Sequence, residues 1–239
     1  MSNIIKMFVS IIVITVLFAS CGNRNINDYS GNSQAKSSKQ NTNTKKIMSL
    51  DRVLPVYFDI SQFDEENYAN IFLGDNFIFN IKLSNQKFSM PAKLSDVQAC
   101  GFKIADNTNY NKDSLIRPLE TVKLEFIRDD GYTLSAVAYN SSESLKPLKD
   151  CYIAEFHIEN DYYKDMQNYH KFSVNGIDNT MVISDIISTI GTPSHFYEIS
   201  ENYYYLDYFI SKSDRRNGIR VYIDTTDDII TAIEFSYYK

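Results

Sequence analysis

Residues 203–210 read YYYLDYFI, and this stretch decides the fold class. Side chains alternate between the two faces of a β-strand, so Tyr204, Leu206, Tyr208 and Ile210 share one face if the stretch is extended. The pattern therefore predicts a strand with this face toward the core and the opposite face away from it.

Alternating runs recur on both sides of this stretch. One pair lies at residues 219–223 and 229–237 around the polar turn 225–228, and an earlier pair lies at residues 122–127 and 133–139. Such pairs predict antiparallel hairpins. The core residues expected in the later pair are Ile219, Val221, Ile223, Ile229, Ile233, Phe235 and Tyr237.

Two short helices are predicted, at residues 94–97 (LSDV) and 183–186 (ISDI), with Gly101 and Gly191 as the residues that stop them. Helices this short cannot form a core of their own and must pack on the sheet. We therefore expect an α+β fold in which antiparallel sheets carry short helices on one face.

The order of these segments suggests an internal repeat. Similar tetrapeptides, KFSM at residues 87–90 and KFSV at residues 171–174, precede the two helices, and alternating runs follow each helix. This order predicts two tandem pseudo-repeats, an N-terminal unit of residues 51–160 and a C-terminal unit of residues 161–239. Chance also produces similarity this short, so duplication and coincidence both stay open.

The N-terminus has the layout of an export signal: one cation at Lys6, apolar residues 7–18, then Ala19 and Ser20 before Cys21. Twelve helical residues rise about 18 Å, which is short of a hydrocarbon core of about 30 Å. Residues 1–20 resemble a bacterial lipoprotein signal, although Phe18 stands where that motif usually has leucine. The resemblance implies that Cys21 is acylated and anchors the chain to the membrane. An ordinary secretory signal and an N-terminal helix with a buried cysteine are the alternatives.

Residues 21–50 are nearly all small and polar, which predicts a disordered tether with an end-to-end distance of about 30 Å. Its net charge of +4 suits an anionic membrane surface. From residue 51 onward, 18 basic residues face 29 acidic ones, a net charge of −11. A domain this acidic is repelled by phosphate, so we expect no nucleic-acid partner.

A second resemblance concerns residues 171–239, whose helix and following turn are similar to the SmpA/OmlA and β-lactamase-inhibitor-like module. The residues that carry it are Met181, Ile186, Ile190, Gly191 and Pro193. Thr180 stands where the motif has glycine. The resemblance implies a helical layer on an antiparallel sheet and a role in binding other proteins without catalysis.

Motifs for chemistry are scarce. His157, His170 and His195 lack the spacing of metal ligands, and no nucleophile elbow or phosphate loop is present, so we expect no metal, no cofactor and no catalytic residue. The alternative is a small cell-envelope hydrolase whose acids, such as Glu155 and Asp185, are assembled only by the fold.

The strand faces opposite the predicted core supply the candidate binding face. Tyrosine rings can stack on a sugar or bury in a protein partner while the hydroxyl stays hydrogen-bonded. The candidate residues are Tyr203, Tyr205, Phe209, Tyr222 and Tyr238, interleaved with Asp207, Arg220 and Glu234. Tyrosine is also a good strand former, so a purely structural role stays open. We expect a lipid-anchored envelope protein on the extracytoplasmic side that binds a protein or a glycan.

Cys100 and Cys151 are the remaining cysteines. Export permits a disulfide between them, which would close a loop of about 50 residues and stabilise the fold by about 4 kcal/mol. Two buried free thiols that pack as small hydrophobes are the alternative.

If Cys21 is acylated, Cys21→Ser should release the protein from the membrane or leave it unprocessed, because the acyl chains supply its membrane affinity. Labelled fatty acid should enter the wild-type chain and be absent from the variant. Equal labelling of both chains would contradict the anchor.

Overall fold

The computed structural model describes residues 66, 68–162, 164–165 and 169–238. The predicted signal peptide (residues 1–20) and the predicted tether with Cys21 (residues 21–50) lie outside these residues. Within them, no helix has the length and apolar character needed to cross a membrane.

Antiparallel strands dominate the described part of the chain, where two α-helices and a short 3₁₀-helix accompany fifteen strands. The helices are α1 (Leu94–Ala99), the 3₁₀-helix (Leu148–Asp150) and α2 (Ile183–Ile190). The strands are β1 (Asn80–Leu83), β2 (Gln86–Ser89), β3 (Ala92–Lys93), β4 (Lys103–Ile104), β5 (Leu115–Ile116), β6 (Thr121–Ile127), β7 (Thr133–Tyr139), β8 (Lys146–Pro147), β9 (Tyr152–Glu159), β10 (Phe172–Val174), β11 (Ile177–Asp178), β12 (His195–Ser200), β13 (Tyr203–Phe209), β14 (Gly218–Asp224) and β15 (Ile229–Ser236).

Most strands belong to one large sheet with the order β12-β13-β14-β15-β9-β7-β6-β4, and β3 pairs with the start of β9. A small sheet has the order β11-β10-β1-β2, and β5 pairs with β8. The predicted antiparallel sheets with a few short helices are thus confirmed, in an arrangement consistent with an α+β fold. The large sheet crosses the predicted boundary at residue 160, because β15 pairs with β9.

The predicted alternating runs form β6, β7, β14 and β15, within one or two residues at each end. Burial alternates along β6, β7 and most of β14, as their polarity pattern requires. Both helices end near a glycine with a left-handed backbone, at Gly101 (φ 86°) and Gly191 (φ 89°).

A single hydrophobic core lies on one face of the large sheet, which we call the inner face. Phe156 and Phe235 stack there with ring centroids 5.3 Å apart, and Phe88 of the small sheet lies 5.6 Å from Phe156. The buried residues of α1 and α2, including Val97 and Ile186, join the same core. The helices and the small sheet therefore cover the inner face.

One predicted core residue is wrong. In the β14–β15 pair, Tyr222 pairs with Ala232 but Ile223 pairs with Ile230, so Thr231 is an extra residue in a β-bulge. The bulge reverses the alternation, so Ile230 is buried while the predicted Ile229 is only half-buried.

Both remaining cysteines are buried free thiols in the structure. Cys100 Sγ donates to the carbonyl of Asp96 (3.4 Å), and Cys151 Sγ donates to the carbonyl of Pro147 (3.6 Å). Burial raises the pKa of both thiols, so little reactive thiolate forms at neutral pH.

In a Cys21→Ser background, the native protein should react slowly with a chromogenic thiol reagent, and the unfolded, unreduced protein should show two reactive thiols. The Cys151→Ala variant should show one under the same conditions. A count of zero in the unfolded Cys21→Ser protein would establish a disulfide instead.

Candidate functional site

The outer face of the large sheet, opposite the core, carries a row of polar side chains across seven neighbouring strands. Strand register aligns them because directly opposed residues on adjacent antiparallel strands lie about 5 Å apart. In order across the sheet the row is His195, Asp207, Arg220, Glu234, His157, Ser135 and Glu125.

Asp207 lies between His195 and Arg220 near one end of this row, and only 3% of its side chain is exposed. Arg220 Nε donates to Asp207 Oδ1 (2.6 Å), and His195 Nδ1 lies 3.1 Å from Asp207 Oδ2. Burial opposes the charge of Arg220, but its hydrogen bonds to Asp207 outweigh burial and raise its pKa. A buried carboxylate needs such partners, so Asp207 and Arg220 link β13 to β14 structurally.

Glu234 and His157 form the middle of the row. His157 Nδ1 lies 3.6 Å from Glu234 Oε2, and the Tyr222 hydroxyl donates to the same oxygen (3.4 Å). The bond to Glu234 raises the pKa of His157, and the bond to His157 lowers the pKa of Glu234. Both groups are therefore charged together in mildly acidic solution.

Aromatic rings form the next row of the outer face, where Tyr197, Tyr205 and Tyr222 are aligned by strand register. The rings of Tyr197 and Tyr205 stack at 5.2 Å, and Tyr222 meets Tyr205 edge-on at 6.0 Å. The Arg220 guanidinium lies 4.2 Å over the Tyr205 ring. This packing holds the rings in fixed positions while leaving part of each exposed.

The structure brings together four of the five predicted face residues on or beside the outer face. Tyr205 and Tyr222 lie side by side and are half-buried, and Tyr203 is 41% exposed. Tyr238 follows β15 and donates its hydroxyl to Glu155 (3.0 Å). Burial raises the pKa of Glu155.

The fifth predicted residue, Phe209, is only 7% exposed and is not available to a partner. Tyr68 stacks on His195 at 4.1 Å and lies 6.5 Å from the Phe209 ring, so a segment distant in sequence covers this corner. Leu73 also donates its backbone N–H to the Phe209 carbonyl. No local pattern around Phe209 contains this information.

Sequence reasoning missed Tyr197, Arg215 and Arg216. Tyr197 follows His195 at strand spacing in the sequence HFYEIS, which was a usable signal. The two arginines lie in a loop, where periodicity says nothing about side-chain direction.

The acids of the hydrolase alternative are not brought together. Glu155 lies on the outer face of β9, whereas Asp185 is exposed on α2, which packs against the inner side. Among the residues that the structure describes, no group of three or more His, Cys, Asp or Glu side chains is placed to hold a metal ion.

The end of the outer face that carries the tyrosines is shallow, because its depression beside Arg215, Arg220 and Glu234 has a volume of only about 40 Å³. Larger cavities lie elsewhere: one of about 650 Å³ on the small sheet, beside Lys82 and His170, and one of about 730 Å³ at the opposite edge of the large sheet, beside Lys103, Glu125 and Thr133. The tyrosine end of the outer face is therefore shaped to meet a surface rather than to enclose a small molecule.

Comparison of the chain with protein-family models, with curated proteins and with solved structures gave no match in any of the three.

The pair of His157 and Glu234 predicts a pH dependence. A raised histidine pKa stabilises the fold below the unfolded value of about 6.5, and this contribution is lost as pH rises through the folded pKa. His157→Gln should therefore lower the thermal midpoint by about 1 to 3 °C at pH 5.5 and change it little at pH 8.

Ser135→Ala, at the next position of the same row, is the matched control and should show no such pH dependence. An equal loss at both pH values for His157→Gln would contradict the ion pair.

Proposed function

We propose that this protein is an exported lipoprotein of the cell envelope that binds a protein or a glycan without catalysing a reaction. Acyl chains on Cys21 hold it at the extracytoplasmic face of the membrane. The outer face of the large sheet is the surface that binds. The observation that carries this proposal is a set of partly exposed tyrosines and arginines at the shallow end of the outer face.

The composition of the outer face supports binding. Tyr and Arg are enriched among the residues that dominate the energy of protein interfaces. A tyrosine buries a large area and has only two side-chain torsions to order. Tyr197, Tyr205 and Tyr222 are already packed against one another, so a partner would not have to order them. Preorganisation of this kind is expected at a binding surface.

The N-terminal sequence supports the location. An apolar run too short to span a bilayer ends at Cys21, and a basic polar segment follows it. This arrangement suits a domain that is tethered to a membrane and presented to partners near it.

We also propose that the domain arose by duplication. The strands that correspond between the two halves differ by one position from those that the sequence pattern predicted. In each half a hairpin is followed by a helix and then by four strands of the large sheet. From one edge of the large sheet to the β15–β9 pair at its middle, the strand order is β12-β13-β14-β15. From the other edge to the same pair, the order is β4-β6-β7-β9. This correspondence equates β6 with β13 and β7 with β14. The tyrosine cluster lies in one half alone, so binding is a property of the second half.

Tyr205→Ala combined with Tyr222→Ala should abolish capture of the envelope partner by the full-length, detergent-solubilised protein, because it removes the two central rings of the face. The thermal midpoint should fall only slightly, since both rings are half-buried rather than part of the core. Capture is measured by pull-down from envelope extracts.

The control is Leu115→Ala with Leu145→Ala, which removes exposed apolar surface (64% and 58% exposed) outside the large sheet. It should leave capture unchanged. Full capture by the folded tyrosine variant would overturn the assignment of this face.

A further inference from the structure

Arg215 and Arg216 lie at one end of the outer face, in the loop of residues 210–217 that joins β13 to β14. The loop is fixed by its own polar contacts. Asn217 Nδ2 donates to Asp214 Oδ2 (2.6 Å) and to the Tyr238 carbonyl (3.0 Å), and the Tyr238 N–H donates to Asn217 Oδ1 (2.6 Å). Asn217 is buried, so these contacts hold the loop firmly against the sheet.

Each arginine of this region lies over a tyrosine ring. The guanidinium of Arg215 is 4.1 Å from the Tyr68 ring centroid, and that of Arg216 is 4.5 Å from the Tyr238 centroid. Stacking occupies a face of the guanidinium and limits its motion, while the N–H groups in its plane stay available. The two side chains are therefore positioned donors rather than freely moving charges.

Neither of these two arginines forms an ion pair among the described residues. Arg220, the third stacked arginine, is paired with Asp207. Both Arg215 and Arg216 are exposed, and within the part of the chain that the structure covers no carboxylate lies within 4.0 Å of either guanidinium. Two unpaired guanidinium groups stand out in a domain whose net charge from residue 51 onward is −11.

We propose that Arg215 and Arg216 bind carboxylates of an acidic segment in a protein partner. This inference rests on the proposed function and specifies the chemistry of its ligand. A guanidinium matches a carboxylate through two parallel N–H···O bonds, which fixes geometry as well as charge. The rest of the domain is acidic and repels a partner that is acidic over its whole surface. The acidic residues of the partner must therefore be concentrated in a short segment.

A protein fits this surface better than a glycan does. Sugar rings stack on open aromatic faces, but the faces of Tyr68, Tyr205 and Tyr238 each carry a guanidinium. Arg215 and Arg216 are exposed, so N–H donors are accessible at this end of the face. The planar donor fork of a guanidinium favours planar anions.

The test measures binding of a dye-labelled, glutamate-rich peptide to the full-length protein in detergent, by fluorescence anisotropy. At an ionic strength of about 0.01 M the Debye length is about 30 Å, so weak charge-dependent binding is detectable. The wild-type protein should bind the peptide and not a lysine-rich peptide. Arg215→Glu with Arg216→Glu should weaken binding by at least about tenfold, with little change in the thermal midpoint.

Two further variants make the result specific. Lys82→Glu with Lys87→Glu changes the net charge equally, at exposed positions of the small sheet, and should keep most of the affinity. Arg215→Lys with Arg216→Lys keeps the charge but removes the planar donors, and should lose most of the affinity.

Absence of peptide binding by the wild-type protein, or equal loss in the small-sheet control, would overturn the proposal. Full affinity in the lysine variant would also overturn it, because charge alone would then suffice. Arginine-dependent binding of polygalacturonate without peptide binding would assign the site to an acidic glycan instead. Each of these outcomes leaves the tyrosine-dependent capture of the envelope partner intact, so it is distinguishable from failure of the proposed function.

Discussion

The pairing of β9 with β15 is the contact on which the rest of the structure depends. In the described part of the chain, β12, β13 and β14 reach the other half of the large sheet only through β15, and β4, β6 and β7 only through β9. The same pairing sets Phe156 against Phe235 in the core and His157 beside Glu234 on the outer face. Such a long-range pair costs more loop entropy than a hairpin does, so both halves must contribute apolar surface to a shared core to stabilise it.

Local patterns were sufficient to predict the two helices and the longer strands β6, β7, β13, β14 and β15, but not the short strands. Strands β6 and β7 alternate strictly, and a glycine follows each helix, so the existence and class of these elements follow from the sequence. The bulge at Thr231 could not be predicted, because a bulge changes which residues face the core without changing composition. The β9–β15 pairing was equally hidden, since no turn connects those strands and only tertiary packing selects them.

The candidate site was harder to predict because strand register assembles it. His157 shows no ligand spacing in the sequence, yet register places it beside Glu234, and a slip of one residue would have turned it toward the core. Tyr205 and Tyr222 were predictable from alternation alone. Phe209 alternates in the same way but is covered by Tyr68, whose position depends on a segment far away in the chain.

The outer face uses one side-chain pair, arginine over tyrosine, in two different ways. Arg220 lies over Tyr205 and donates two hydrogen bonds to the buried carboxylate of Asp207. These bonds connect β14 to β13. Arg215 and Arg216 have the same ring contact without a carboxylate. The presence or absence of one paired carboxylate therefore separates the structural arginine from the two that we propose as binding residues. The cost of holding two unpaired cations on an acidic domain is small, because the domain's own field favours positive charge there. That field also opposes an incoming anion at long range, so the proposed recognition of carboxylates would depend on short-range geometry, which stacked guanidinium groups provide and mobile lysines do not.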